Sequence, residues 1–202
     1  MILIGVTGIV GSGKTTVSAM LEKEGFKVID LDRIAKEIAQ QKKVIADIRE
    51  AFGGSCVAGG EIDVKKVGWL VFRDKEAREK LESIMHPLID AEMQSKVKKI
   101  EAEGTIIAII DGPLIFEKGL DKDLQKTVVV SGKQETLRVR LKKRGMDEDD
   151  SDRRMAAQMS LEEKEARADY IIHNDGTMED LEKEVGKLLK QIKEWEVELN
   201  AS

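Results

Sequence analysis

The chain has 202 residues, 41% of them apolar and 36% charged, and carries a net charge of −5. That length holds one α/β core with a small insertion or two, and a second large domain would be a squeeze. The acidic balance argues against nucleic acid as the main partner. The lone Cys56 excludes an intrachain disulfide or a multi-cysteine metal centre, and no apolar run approaches membrane-spanning length. Met1 to Gly8 starts apolar without the basic lead of a signal peptide, so the expectation is a cytoplasmic protein with no membrane or nucleic-acid partner.

In chain order, Ile2 to Val6 reads as a buried strand ended by glycine. Val17, Met20 and Leu21 follow at helical spacing up to Gly25, which suits a C-cap. Phe26 to Ile29 reads as a second strand, ending at Asp30-Leu31-Asp32. From Arg33 to Glu103 the pattern is helical throughout, interrupted between Phe52 and Gly60 and broken again at Pro87. Thr105 to Ile110 and Thr127 to Val130 are apolar or β-branched, the mark of strands covered on both faces in a parallel sheet. Gln134 to Lys143 looks helical, Met146 to Arg154 is dense in charge, and Asp169 to Ile172 is a last strand. Met178, Leu181, Val185, Leu188, Leu189, Ile192 and Trp195 stripe one face of a closing helix. Strands alternating with helices predict a doubly wound α/β sheet of five parallel strands. Ligands in such sheets sit beyond the C-terminal strand ends, here Thr7-Gly8, Asp30, Asp111, Ser131 and His173.

Gly8-Ile9-Val10-Gly11-Ser12-Gly13-Lys14-Thr15 satisfies G-x-x-x-x-G-K-[ST] between a strand and a helix. Glycines let the backbone wrap with its N–H groups inward, Lys14 reaches the β- and γ-phosphates of ATP, and the Thr15 hydroxyl can ligate Mg²⁺. A regulatory GTPase, or any non-catalytic nucleotide switch, is the rival from another class. It would want D-x-x-G and [NT]-K-x-D, and neither occurs in this chain. A small-molecule kinase remains, with a nucleoside monophosphate kinase as the alternative acceptor class.

Asp30 and Asp32 stand just past the second strand, where a carboxylate can orient a hydroxyl acceptor or simply cap the following helix. Asp111 ends the third strand, where it can hold magnesium or close a turn. Arg140, Arg144 and Arg154 flank a charged Gly145–Asp152 loop, and phosphoryl transfer needs such mobile positive donors. Arg140 and Arg144, four apart, share one helix face.

Taken together the chain resembles the dephospho-CoA kinase family over nearly its whole length. The carrying strings are Thr7 through Thr15, Asp30 through Ala35, His86-Pro87-Leu88-Ile89 and Pro113-Leu114-Ile115-Phe116-Glu117 with Gly119-Leu120. Arg140-Leu141 with Arg144, Arg154 with Gln158-Met159, and Ala168-Asp169, Ile172, Asn174 and Gly176 complete them. The resemblance implies a P-loop kinase that phosphorylates the ribose 3′-hydroxyl of dephospho-CoA with ATP and Mg²⁺, the last step of coenzyme A synthesis. It implies a nucleotide-binding core of residues 1–31, 105–139 and 167–202, a helical acceptor region at 32–104 and a lid at 140–166. Asp32 becomes the expected base or hydroxyl-positioning residue, with Lys14 and Arg140 beside it in catalysis. ATP contacts fall to Gly11, Ser12, Gly13, Lys14, Thr15, Thr16, Arg144 and Arg154, metal contacts to Thr15 and Asp111. Acceptor contacts fall to Thr7, Asp30, Asp32 and His86, although a histidine before proline is as readily structural. A monomer or weak homo-oligomer is expected. Ile9 departs from the family's second glycine, Leu31 from its alanine and Ile115 from its leucine, and the lid is unusually acidic.

Overall fold

The structure is a computed structural model and describes residues 1–201. It divides into two compact units, Met1–Ile29 with the chain from Ile100 onward, and Asp30–Lys99.

The first unit is built on the strands β1 (Ile2–Thr7), β2 (Lys27–Asp30), β5 (Ile107–Asp111), β6 (Lys126–Ser131) and β7 (Tyr170–His173). They form one sheet in the order β2-β5-β1-β6-β7, with β5, β1, β6 and β7 paired in parallel. Both faces are covered, which is why these segments read as apolar runs without alternation. On one face Ile2, Ile4, Val6, Ile107, Ile109, Val128, Val130 and Ile172 pack with Val17 and Leu21 of α1 (Lys14–Lys23). The stripe Leu181, Val185, Leu188, Ile192 and Trp195 of α9 (Met178–Asn200) closes the same core. A capping box between Thr177 and Asp180 starts that helix. On the other face Leu124 and Ile115 close over Gly5, where a Cβ would lie 2.6 Å from Leu124 and 3.1 Å from Ile115 and would push their methyl groups aside. The predicted helix at 134–143 is α6 (Gln134–Lys143).

The acidic segment expected as a charged loop is instead a helix, α7 (Glu148–Ala156), followed by α8 (Leu161–Arg167). Asp147 caps α7 by accepting the Asp150 N–H at 2.7 Å. Glu148, Asp149 and Asp150 fill its first turn and Arg153 and Arg154 its last, so the charge run follows the helix dipole.

In the second unit, α2 (Leu31–Ala39), α3 (Lys42–Phe52), α4 (Val64–Val71) and the first 25 residues of α5 (Lys75–Ala102) surround a core that includes Ile34, Ile38, Val44, Ile48, Val67, Val71 and Met93. Two sequence expectations are corrected here. The interruption near Gly60 is a hairpin of β3 (Val57–Ala58) and β4 (Glu61–Ile62), turned by Gly59 at φ 60° and Gly60 at φ 87°. Two successive positive φ values suit the mirror-image turn that matches strand twist, and glycine adopts them without strain. Pro87 does not break the helix: α5 runs through it for 28 residues. Proline removes one i→i−4 bond, and the bonds on either side of it hold the helix together. Cys56 is buried, as expected for a small apolar side chain.

Candidate active site

Thr7 ends β1 fully buried and donates its hydroxyl to the Pro113 carbonyl at 3.3 Å. The chain then turns through Gly8–Gly13 into α1. Gly13 is the helix N-cap in the left-handed region, φ 95°, and a Cβ there would fall 2.2 Å from Asn174 Nδ2. Glycine is therefore required twice over, by conformation and by space. Ile9, where the family usually has glycine, sits at negative φ, so that position makes no demand on glycine's extra freedom.

Among the described residues no protein hydrogen bond reaches the backbone N–H groups of Gly11, Gly13, Lys14 or Thr15. The buried Ser12 Oγ also lacks a partner. A buried polar atom without a partner costs about 1–3 kcal/mol, so the cradle as it stands favours a ligand rich in acceptors. The N-terminal end of α1 adds partial positive charge. A polyphosphate fits this donor set.

Lys14 Nζ is paired with Asp111 Oδ1, and the Asp111 carboxylate, at the end of β5, is 4% exposed. A lysine and a carboxylate that sequence reasoning assigned to phosphate and to metal thus meet directly. Thr15, the other metal candidate, is exposed on the first turn of α1. No cluster of three or more His, Cys, Asp or Glu occurs among the described residues. The Thr15 hydroxyl and the Asp111 carboxylate are oxygen donors, the kind Mg²⁺ takes one or two of from protein before completing its shell from water and phosphate.

Arg140 on α6 is held more firmly than a solvated lid arginine. Its Nη2 donates to Asn174 Oδ1 at 3.0 Å and its Nη1 to the Ser12 carbonyl at 3.5 Å. Asn174 Nδ2 donates to that same carbonyl at 2.7 Å. Arg140 and Arg144, sharing a face as expected, line a cavity of about 240 Å³ with Gly13, Thr16, Asn174 and Thr177. Arg154 bonds Asp150 one turn back on α7 at 3.0 Å. Asn174 was visible only as a member of the string near β7; its contact with Ser12 spans 162 residues and leaves no local trace.

A second feature was hidden as well. Lys164 is fully buried and donates to the Pro113 carbonyl at 2.7 Å and to both Glu117 oxygens at 2.8 and 2.9 Å. Burial lowers the pKa of its ammonium, with the Glu117 bonds and charge opposing that shift.

The remaining acceptor candidates lie in the second unit. Asp30 caps α2 by accepting the Arg33 N–H at 3.0 Å, Asp32 stands in the first turn of that helix, and His86 lies within α5, half-buried.

A parallel sheet with a lysine-bearing phosphate loop at the C-terminal end of its central strand, and arginines gathered beside that loop, defines a P-loop kinase. The dephospho-CoA kinase family model matches residues 2–180. A dephospho-CoA kinase of Corynebacterium glutamicum is 37% identical over 195 residues, covering 95% of this chain and 98% of the relative. Among solved structures, TT1252 from Thermus thermophilus has a TM-score of 0.82 at 34% identity, over 94% of this chain and 97% of that one. Dephospho-CoA kinase from Campylobacter jejuni has a TM-score of 0.69 at 28% identity, over 94% and 96%. The chain belongs to the dephospho-CoA kinase family.

Proposed function

We propose that this protein transfers the γ-phosphate of ATP to the ribose 3′-hydroxyl of dephospho-CoA, giving coenzyme A and ADP. The observation that carries the reading is the phosphate loop, with unpartnered N–H groups around Lys14, in a chain matched by the family model from residue 2 to 180. Gly11 to Thr16 bind the phosphates through backbone N–H groups and hydroxyls, and Lys14 neutralises charge there. Arg140 supplies positive charge to the transferring phosphate, and Arg144, which lines the same small cavity, and Arg154 on α7 contact ATP.

Asp32 orients the acceptor hydroxyl and takes up its proton, as phosphoryl transfer to an alcohol requires. Asp30 supports it by fixing the start of α2, and His86 and Thr7 contribute to holding the acceptor. Thr15 and Asp111 are the residues that would hold Mg²⁺, which when bound offsets phosphate charge. Lys14 leaves Asp111 free for that role by moving to phosphate oxygens. The protein works in the cytoplasm as a monomer or weak homo-oligomer on small-molecule substrates.

An acceptor panel of dephospho-CoA, AMP, CMP, adenosine and pantothenate with Mg·ATP tests the reading, following ADP release and product mass. Dephospho-CoA should gain one phosphate on its 3′-oxygen. A higher kcat/KM for AMP or CMP would replace the reading with a nucleoside monophosphate kinase.

A further inference from the structure

One chain of polar contacts runs from the phosphate loop through the lid and back. The Val10 N–H, on the outer turn of the loop, donates to Gln158 Oε1 at 3.1 Å. The next residue, Met159, donates its N–H to Glu117 Oε1 at 2.8 Å. Glu117 accepts both bonds from Lys164, which also holds the Pro113 carbonyl, and that carbonyl accepts the Thr7 hydroxyl at the loop's other end. The seven residues Asp111–Glu117 thus hold two lysines, Lys14 of the loop through Asp111 and Lys164 of α8 through Glu117.

The energetic weight of these contacts falls on one place. A fully buried ammonium is costly unless its partners are well placed, and three acceptors at 2.7–2.9 Å meet that need. Such a pair tolerates little displacement. It therefore fixes where α8 begins its return to the sheet, and with it the position of Gln158 three residues before α8 starts.

We infer that Lys164, Glu117 and Gln158 form a tether that holds the outer turn of the phosphate loop in its binding shape through the base of the lid. They are positioning residues for phosphoryl transfer. The kinetic part of this inference rests on the function proposed above; the structural part does not.

Hydrogen exchange of the Val10 amide, read by NMR on the full chain without nucleotide, tests the tether whatever the reaction is. Gln158→Ala removes the direct acceptor and should speed Val10 exchange about tenfold or more, since an amide freed of its partner exchanges through a smaller opening. Gln158→Glu keeps an acceptor oxygen and should restore slow exchange. Lys164→Met touches neither Val10 nor Gln158, so faster Val10 exchange in that variant is the decisive result. Where Lys164→Met does not fold, Glu117→Gln, which keeps shape and an acceptor for Met159, takes its place.

In kinetics Gln158→Ala should lower kcat about tenfold with KM for dephospho-CoA unchanged, and Gln158→Ala with Glu117→Gln should be no worse than the more impaired single variant. Unchanged Val10 exchange in a folded Lys164→Met or Glu117→Gln protein overturns the tether, as do single effects that multiply in the double variant. Absence of dephospho-CoA phosphorylation in the wild type would sink the proposed function and leave the exchange test standing.

Discussion

Replacing Asn174 by alanine removes the pin between the phosphate loop and α6. The side chain is 5% exposed, donates to the Ser12 carbonyl at 2.7 Å and accepts from the Arg140 guanidinium at 3.0 Å. A neutral buried hydrogen bond contributes about 1 kcal/mol and one to a charged group about 1.5–3, so Asn174→Ala should cost about 3 kcal/mol. For a chain of this size each kcal/mol moves the melting temperature by about 2–4 °C, which predicts a fall of about 6–12 °C. ADP affinity should fall with it, because Ser12 and Gly13 lose the contact that orients them. Asn174→Asp separates charge from shape. It keeps the acceptor facing Arg140, sets an oxygen against the Ser12 carbonyl, and adds negative charge beside the loop. Its ADP affinity should be lower than that of Asn174→Ala. Thermal unfolding followed by circular dichroism and titration calorimetry with ADP measure both. A melting shift under about 2 °C in Asn174→Ala, with ADP binding intact, would refute the view that this contact shapes the loop.

Gly13→Ala should abolish detectable nucleotide binding, since its Cβ meets Asn174 at 2.2 Å and φ is 95°; tight ADP binding in a folded variant would contradict the cradle described. Asp32→Asn should lower kcat by about a hundredfold with ATP affinity unchanged, as for the loss of a general base. Asp30→Asn should be nearly silent because asparagine also caps helices well, and the reverse pattern in steady-state kinetics would exchange the two roles. Asp180 is held below the ordinary carboxylate value of 3.8, first by the Thr177 N–H and then by the Thr177 hydroxyl and Lys183. Its contribution is therefore present above 3.8 and is lost as pH falls through the lowered folded value. Melting curves should show Asp180→Ala less stable than wild type at neutral pH, with the gap closing below about pH 3.8; a gap that widens in acid would refute the assignment.

How far the sequence could be read depended on how local each determinant is. The phosphate loop was legible because all its fixed positions lie within eight residues and each has a chemical duty. The sheet strands were legible because burial on both faces leaves unbroken apolar runs such as Ile107 to Ile110. The helix α7 was misread as loop because its signal is not apolar periodicity but the order of its charges, acids first and arginines last. Pro87 was overweighted, since one missing bond does not end a 28-residue helix. The hairpin at Val57–Ile62 has strands of two residues, too short for alternation to register. Asn174 and the Lys164–Glu117 pair were beyond reach for a different reason. Their partners lie 162 and 47 residues away, and a lone lysine in a charged helix looks like any solvated one. The arginine pair was found, but the grip of Arg140 on Ser12 and Asn174 was not, so Arg140 is a loop-shaping residue as well as a candidate catalytic one.

The core that joins Ile2, Ile4 and Val6 to Leu181, Leu188 and Trp195 bears on how the molecule comes to be made. At about 5–20 residues per second, roughly 10–40 s separate synthesis of the first strand from synthesis of the helix that covers it. Through that interval β1 and its apolar neighbours have no final cover and are open to wrong partners. The second unit, a continuous run from Asp30 to Lys99, has no such wait, because every residue it packs internally is made within one stretch. Slow translation or a truncated message should therefore leave a half-made protein whose inserted unit is ordered and whose nucleotide core is not. Chaperone dependence and aggregation of such fragments should track the length missing from α9.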